Sequence, residues 1–157
     1  MSAPGYRLRA ATAADIPVLT RQRIAMLADM GVGDPETREA MKPRFAEWAA
    51  DQFQRGDIWA WLIEDAGRPA AGAAVWRKPR LPGIAGPIEV VAYVFNVYVE
   101  PAHRRRGLAR QLMDHIVAWT PGAGFDTVEL HASDQGRPLY ASMGFTPTNN
   151  ELRRRVP

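Results

Sequence analysis

The order of hydrophobic patterns along this chain of 157 residues predicts an α/β fold, and three stretches carry the prediction. Tyr93 to Val99 is apolar and β-branched enough for a buried strand, and just beyond it Leu108, Leu112, Ile116 and Trp119 recur on one helical face. Ile58 to Glu64 and Ala70 to Val75 alternate as two strands of a hairpin do, around the turn Asp65-Ala66-Gly67-Arg68-Pro69.

The remaining elements follow from start and stop signals. Tyr6 to Arg9 reads as a first short strand. Thr12, with Asp15 three residues on, forms a capping box for a helix running to about Met30, where Gly31 and Gly33 stop it. Asp34-Pro35 starts a second helix, which Pro43 is expected to divide and Gly56 to end. After the hairpin, prolines and glycines between Arg77 and Pro87 make a loop. A fourth strand spans Val90 to Val99, a third helix Leu108 to Thr120, a fifth strand Thr127 to Ala132, a fourth helix Pro138 to Met143 and a last strand Leu152 to Val156. The resulting order is β-αα-βββ-α-β-α-β. No internal repeat, low-complexity tract or nucleotide-binding glycine motif interrupts it.

Composition narrows the class. With 46% hydrophobic and 24% charged residues, the chain suits one compact domain over residues 1–157. It has no cysteine, which excludes disulfides, thiolate metal sites and a catalytic thiol. Met1 to Gly5 lacks the apolar core of a signal peptide and no run approaches membrane-spanning length, so the expected location is the cytoplasm. The formal charge of +3 is almost wholly arginine on its basic side, gathered at Arg104 to Arg106 and Arg153 to Arg155. No aromatic-interleaved basic groove accompanies either cluster, so nucleic acid is not an expected partner. His103 and His115 have no second ligand at metal spacing, so no metal is expected.

The junction Val99 to Ala109 carries the chemistry. An apolar strand passes through Pro101 into Arg104-Arg105-Arg106-Gly107, which opens a helix. The first amides of a helix have no partner inside it, and the peptide dipoles leave positive partial charge at that end. Gly107 and Ala109 keep side chains small where an anion approaches the backbone, and the arginines supply charge that a phosphate pairs with at close range.

This spacing, Arg104-x-x-Gly107-x-Ala109, resembles the acetyl-CoA pyrophosphate loop of the GNAT family of N-acetyltransferases. A second segment, Gly136-Arg137-Pro138-Leu139-Tyr140-Ala141-Ser142-Met143-Gly144-Phe145, is similar to that family's Ala-x-x-Leu-Tyr-x-x-x-Gly-Phe. The resemblance covers about residues 90 to 146. It implies a GNAT fold: a central mixed twisted sheet whose fourth and fifth strands splay apart, flanked by about four helices. It also implies acetyl-CoA as the acyl donor. The loop residues Arg104, Arg105, Arg106, Gly107, Leu108, Ala109 and Arg110 would hold its pyrophosphate, while Val97, Tyr98 and Val99 would pair with the pantetheine arm as an added strand. Tyr140 occupies the position of the family's general acid and would also contact the cofactor. Ser133 stands where the family often has a cofactor-touching asparagine, and Gly136 stands where it has alanine.

The remaining roles stay open. An alkylamine with a pKa near 10.4 is about 99.9% protonated at pH 7, so a base is desirable. Glu89, ahead of the fourth strand, and His131, on the fifth, are the candidates beside a water-filled channel. Arg23 interrupts the apolar stripe Ile16, Leu19, Met26 and Met30; it either binds an acceptor carboxylate or phosphate or snorkels to water. Tyr93 and Asn96 are further acceptor-contact candidates, and Trp59, Trp61, Trp76 and Phe95 are either core or an aromatic pocket. The expected activity is transfer of acetyl to a primary amine of a small molecule by direct attack, with no membrane partner and a homodimer permitted. A protein or peptide amine as acceptor, a non-catalytic CoA-binding sensor and a basic nucleic-acid module are the alternatives.

Overall fold

A computed structural model describes residues 5–84, 86–148 and 150–157. Met1 to Pro4, part of the stretch expected to lack a leader's apolar core, lies outside the described residues. The elements are β1 (Tyr6–Ala10), α1 (Ile16–Asp29), α2 (Pro35–Arg55), β2 (Ile58–Asp65), β3 (Arg68–Pro79), β4 (Val90–Val99), α3 (Leu108–Trp119), β5 (Val128–Leu130) and α4 (Arg137–Ser142). They build one five-stranded sheet in the order β1-β2-β3-β4-β5. The first four strands run antiparallel, and β5 lies parallel to β4. This is the mixed α/β sheet expected.

The period-2 alternation of β2 sorts its side chains between two faces. Ala60 and Leu62 pack with Leu19, Phe45 and Ala49 from α1 and α2. Trp61 and Ile63 turn the other way, into the cluster containing Leu112, Met113 and Ile116 of α3. Turn chemistry fixes the hairpin: Ala66 and Gly67 both have positive φ, 48° and 76°, as a two-residue turn between twisted strands demands.

Four expectations need correction. The Thr12–Asp15 box exists, with the Thr12 amide donating to Asp15 Oδ2 at 2.8 Å, but it closes a 3₁₀ turn at Ala13–Asp15 and α1 begins after it. Pro43 does not divide the second helix, because α2 runs unbroken from Pro35 to Arg55. Pro43 faces solvent, so the carbonyl it leaves without a helical donor meets water, while Phe45 and Ala49 anchor the same helix to the sheet. β5 keeps only Val128–Leu130 of the expected Thr127 to Ala132. No strand forms at Leu152 to Val156, where Leu152 and Val156 are exposed and bury no apolar face against the sheet.

The shortness of β5 has its origin in β4. Gly72 pairs with Tyr98 but Ala74 pairs with Phe95, so Asn96 and Val97 together oppose Ala73 in a β-bulge. Asn96 takes a left-handed conformation there, φ 60°. A bulge bends its strand, and pairing with β5 ends at Val94↔Leu130, just before this one. Beyond that point the two strands diverge.

Candidate active site

A cavity of about 750 Å³ opens where β4 and β5 part. Its walls are β4 from Tyr93 to Val99, the end of β5 with His131 and Ser133, Tyr140 of α4, and the inner faces of α1 and α2. Along β4 the edge beyond Val94 faces no strand, so the main chain of Val97 and Val99 borders the cavity.

At the Val99 end lies the arginine-rich loop from which an anion site is expected. Gly107 caps α3 at φ 77°, and Arg105 is also left-handed, φ 61°. The first α3 amide with a backbone acceptor is that of Gln111, to the Gly107 carbonyl at 3.0 Å. The amides of Leu108, Ala109 and Arg110 therefore point out of the helix end, which is the arrangement an anion needs. The arginine side chains are more committed than their sequence suggests. Arg104 pairs with Asp29 and donates to the Val99 carbonyl at 3.1 Å. Its hydrogen bond to Asp29 holds its pKa above the ordinary arginine value. Arg106 donates to the Tyr6 hydroxyl at 3.0 Å, and that hydroxyl lies 2.8 Å from His103 Nδ1, so β1 braces the loop. Arg110 reaches Ser142 of α4 at 3.0 Å. Among the described residues only Arg105 of these four has no partner.

On the β5 side, the Tyr140 ring packs edge-on to Phe145, with centroids 5.8 Å apart, and its phenol lines the cavity. No group among the described residues bonds that hydroxyl. Burial pushes its pKa up from the ordinary value, so it stays a protonated donor at neutral pH. Gly136 explains its own departure from the family pattern: a Cβ there would lie 2.9 Å from Tyr140 Cε2. Ser133 Oγ accepts the Gly136 amide at 3.1 Å, which ties the end of β5 to α4 and leaves the hydroxyl proton free.

The opposite end, toward Tyr93, is aromatic and cationic. The Arg23 guanidinium lies 5.2 Å from the Phe45 ring centre and 6.0 Å from that of Phe95, and donates to Asn96 Oδ1 at 3.3 Å. Burial pulls its pKa down, against an opposing pull from Tyr93. Arg23 is thus a half-buried guanidinium lining the cavity. Asn96 is 2% exposed and spends its amide on the Leu19 carbonyl at 2.8 Å, so it clamps α1 to the bulge. Tyr93 and His131 meet through the Tyr93 hydroxyl and His131 Nδ1 at 2.6 Å. Glu89 is exposed and outside the cavity lining. Of the aromatics, Tyr93, Phe95 and Trp76 line the cavity, whereas Trp59 and Trp61 pack on Trp119 across the sheet.

Arg44, Trp48 and Asp29 also line the cavity and were not singled out by sequence. The only trace of the first two is their spacing with Phe45 on one face of α2; Asp29 carries none.

The family model for the acetyltransferase (GNAT) family matches residues 24–145. The chain belongs to that family. This GNAT chain is 31% identical over 149 residues to glucosamine 6-phosphate N-acetyltransferase 1 of Oryza sativa subsp. japonica, with 94% of this chain and 85% of the rice protein covered. It is 30% identical over 104 residues to mycothiol acetyltransferase of Beutenbergia cavernae, covering 61% of this chain and 33% of that protein. Among solved structures, a GCN5-related N-acetyltransferase from Ralstonia eutropha superposes with a TM-score of 0.89 at 32% identity, covering 97% of this chain and 99% of that one. A predicted acetyltransferase from Clostridium acetobutylicum, crystallised with acetyl-CoA, superposes at 0.88 with 24% identity, covering 96% of each, and shares the GNAT fold.

Proposed function

We propose that this chain is an acetyl-CoA-dependent N-acetyltransferase acting on a primary amine of a small molecule. One observation carries the reading: a single cavity joins the unpaired edge of β4 to the unpartnered phenol of Tyr140 and reaches Arg104, which begins the loop whose following residues open α3 with unpaired amides. Relatives named for small-molecule amine acceptors support it.

The residues fit the donor. The α3 amides and Arg105 suit a pyrophosphate, and the open β4 edge at Val97 to Val99 suits the amide groups of a pantetheine arm. Acetyl-CoA supplies the thioester carbonyl. The β4 edge holds it still within reach of the acceptor, which converts a bimolecular encounter into an oriented one. As the amine nitrogen bonds to the acetyl carbon and the carbon–sulfur bond breaks, Tyr140 donates its proton to the departing thiolate. The amine loses a proton to water in the cavity or to the Tyr93–His131 pair. Glu89 is exposed and outside the lining, so the reading gives it no role.

Release of free CoA thiol from acetyl-CoA, followed over a panel of amines, tests the reading. Amine-dependent thiol release is expected. Tight acetyl-CoA binding with no release on any amine would move the chain to a cofactor-sensing role.

A further inference from the structure

Resting on the transferase reading, we propose that the acceptor amine carries an anionic group, a carboxylate or a phosphate, held by Arg23 and Arg44 at the aromatic end of the cavity. Arg23 is half-buried between the Phe45 and Phe95 rings, yet its one hydrogen bond among the described residues goes to the neutral Asn96 Oδ1 at 3.3 Å. A guanidinium has five N–H donors, and removing such a charge from water without a counter-ion is costly. The described residues offer none. The single carboxylate in the lining, Asp29, is taken by Arg104. The carboxylates near Tyr93 are taken as well: Glu129 by Lys78 at 2.6 Å and Glu151 by Arg153 at 2.8 Å. Arg44 adds a second cation to the same lining. This end therefore lacks what a polycationic acceptor requires and presents what an anion requires.

Arg23 also sits where an anchoring contact would orient the amine. It stacks on Phe95 and bonds Asn96, the first β4 residues past the last β5 pair, so an anion gripped there sits at the mouth of the splay that leads to Tyr140. Phe45, Trp48, Trp76 and Phe95 supply apolar walls for the carbon skeleton.

The test uses matched amines: glucosamine 6-phosphate against glucosamine, phosphoethanolamine against ethanolamine, glycine against glycinamide, with spermidine as the polycation. Thiol release should show kcat/KM at least about tenfold higher for the anionic member of a pair, the effect of one charge-assisted hydrogen bond. The phosphate and carboxylate pairs distinguish the two anion sources. Arg23→Gln should collapse the ratio toward one, Arg23→Lys should restore part of it, and Arg44→Gln should reduce it less than Arg23→Gln. Thermal melting confirms that the variants fold. Equal turnover within every pair, or preference for spermidine, overturns the anion proposal while the transferase reading stands. Calorimetric titration of the same pairs into CoA-saturated protein separates the two: anion-selective binding without thiol release keeps the anion site and removes the transferase, and no selectivity in either assay removes the site.

Discussion

Replacing Tyr140 with phenylalanine removes one oxygen that makes no hydrogen bond among the described residues. The hydroxyl has no partner there, and the ring keeps its contacts with Phe145 and Gly136, so fold stability should be retained. The loss falls on the departing sulfur. A hydrogen bond to a charged group contributes about 1.5 to 3 kcal/mol, which corresponds to roughly 10 to 150-fold in rate, and full proton transfer extends the range toward about 1000-fold. Thiol-release kinetics should show kcat reduced by that factor, with acetyl-CoA affinity nearly unchanged, because the interaction strengthens only in the transition state. The pH profile adds a second readout. An acid acts only while protonated, so kcat should fall as pH rises through the Tyr140 pKa. Burial holds that pKa above the ordinary tyrosine value, which places the descending limb above about pH 10. The limb should vanish in Tyr140→Phe. A folded variant with wild-type kcat, or with the limb intact, refutes the assignment of Tyr140 as the acid.

Gly107→Glu should abolish acetyl-CoA binding by calorimetry while the protein stays folded. A Cβ at Gly107 meets nothing within 4 Å, so the fold bears only the strain of φ 77°, about 1 to 2 kcal/mol; unchanged affinity would remove the loop as the pyrophosphate site. Glu89→Gln should leave kcat within about threefold, and His131→Gln within about tenfold, with kcat/KM still rising toward the amine's own pKa. Loss of both rate and ascending limb in His131→Gln would name His131 as the base. Gly72→Ala should lower stability by about 1 to 3 kcal/mol in denaturant unfolding, because its Cβ would lie 2.3 Å from Gln22 Oε1 and 3.0 Å from Leu62 Cδ2. An unchanged midpoint would show that the α1–β3 contact yields freely.

Elements specified by their own neighbours are legible in the sequence. β4 occupies Val90–Val99 as its β-branched run indicates, α3 starts at Leu108 behind its glycine cap, and Gly56 ends α2 in a left-handed turn. Caps, turn glycines and side-chain period act within a few residues, and so the strand–loop–helix junction and the Tyr140 segment are readable from the order of residues alone. What depends on partners distant along the chain is not. Pro43 continues a helix because Phe45 and Ala49 are anchored on a sheet that local propensity does not see. β5 stops early because β4 bulges at Asn96, and Leu152 to Val156 stays irregular with its apolar side chains exposed, packed on no other element. The loop arginines are tied to Asp29 and Tyr6, 75 and 100 residues away. The aromatic, cationic end of the cavity exists only where α1 and α2 pack over the splay. Sequence determined the strand–loop–helix junction and its open helix start because helix ends are local physics; tertiary packing alone decided which groups line the cavity, because burial and charge neutralisation are settled between elements and not within them.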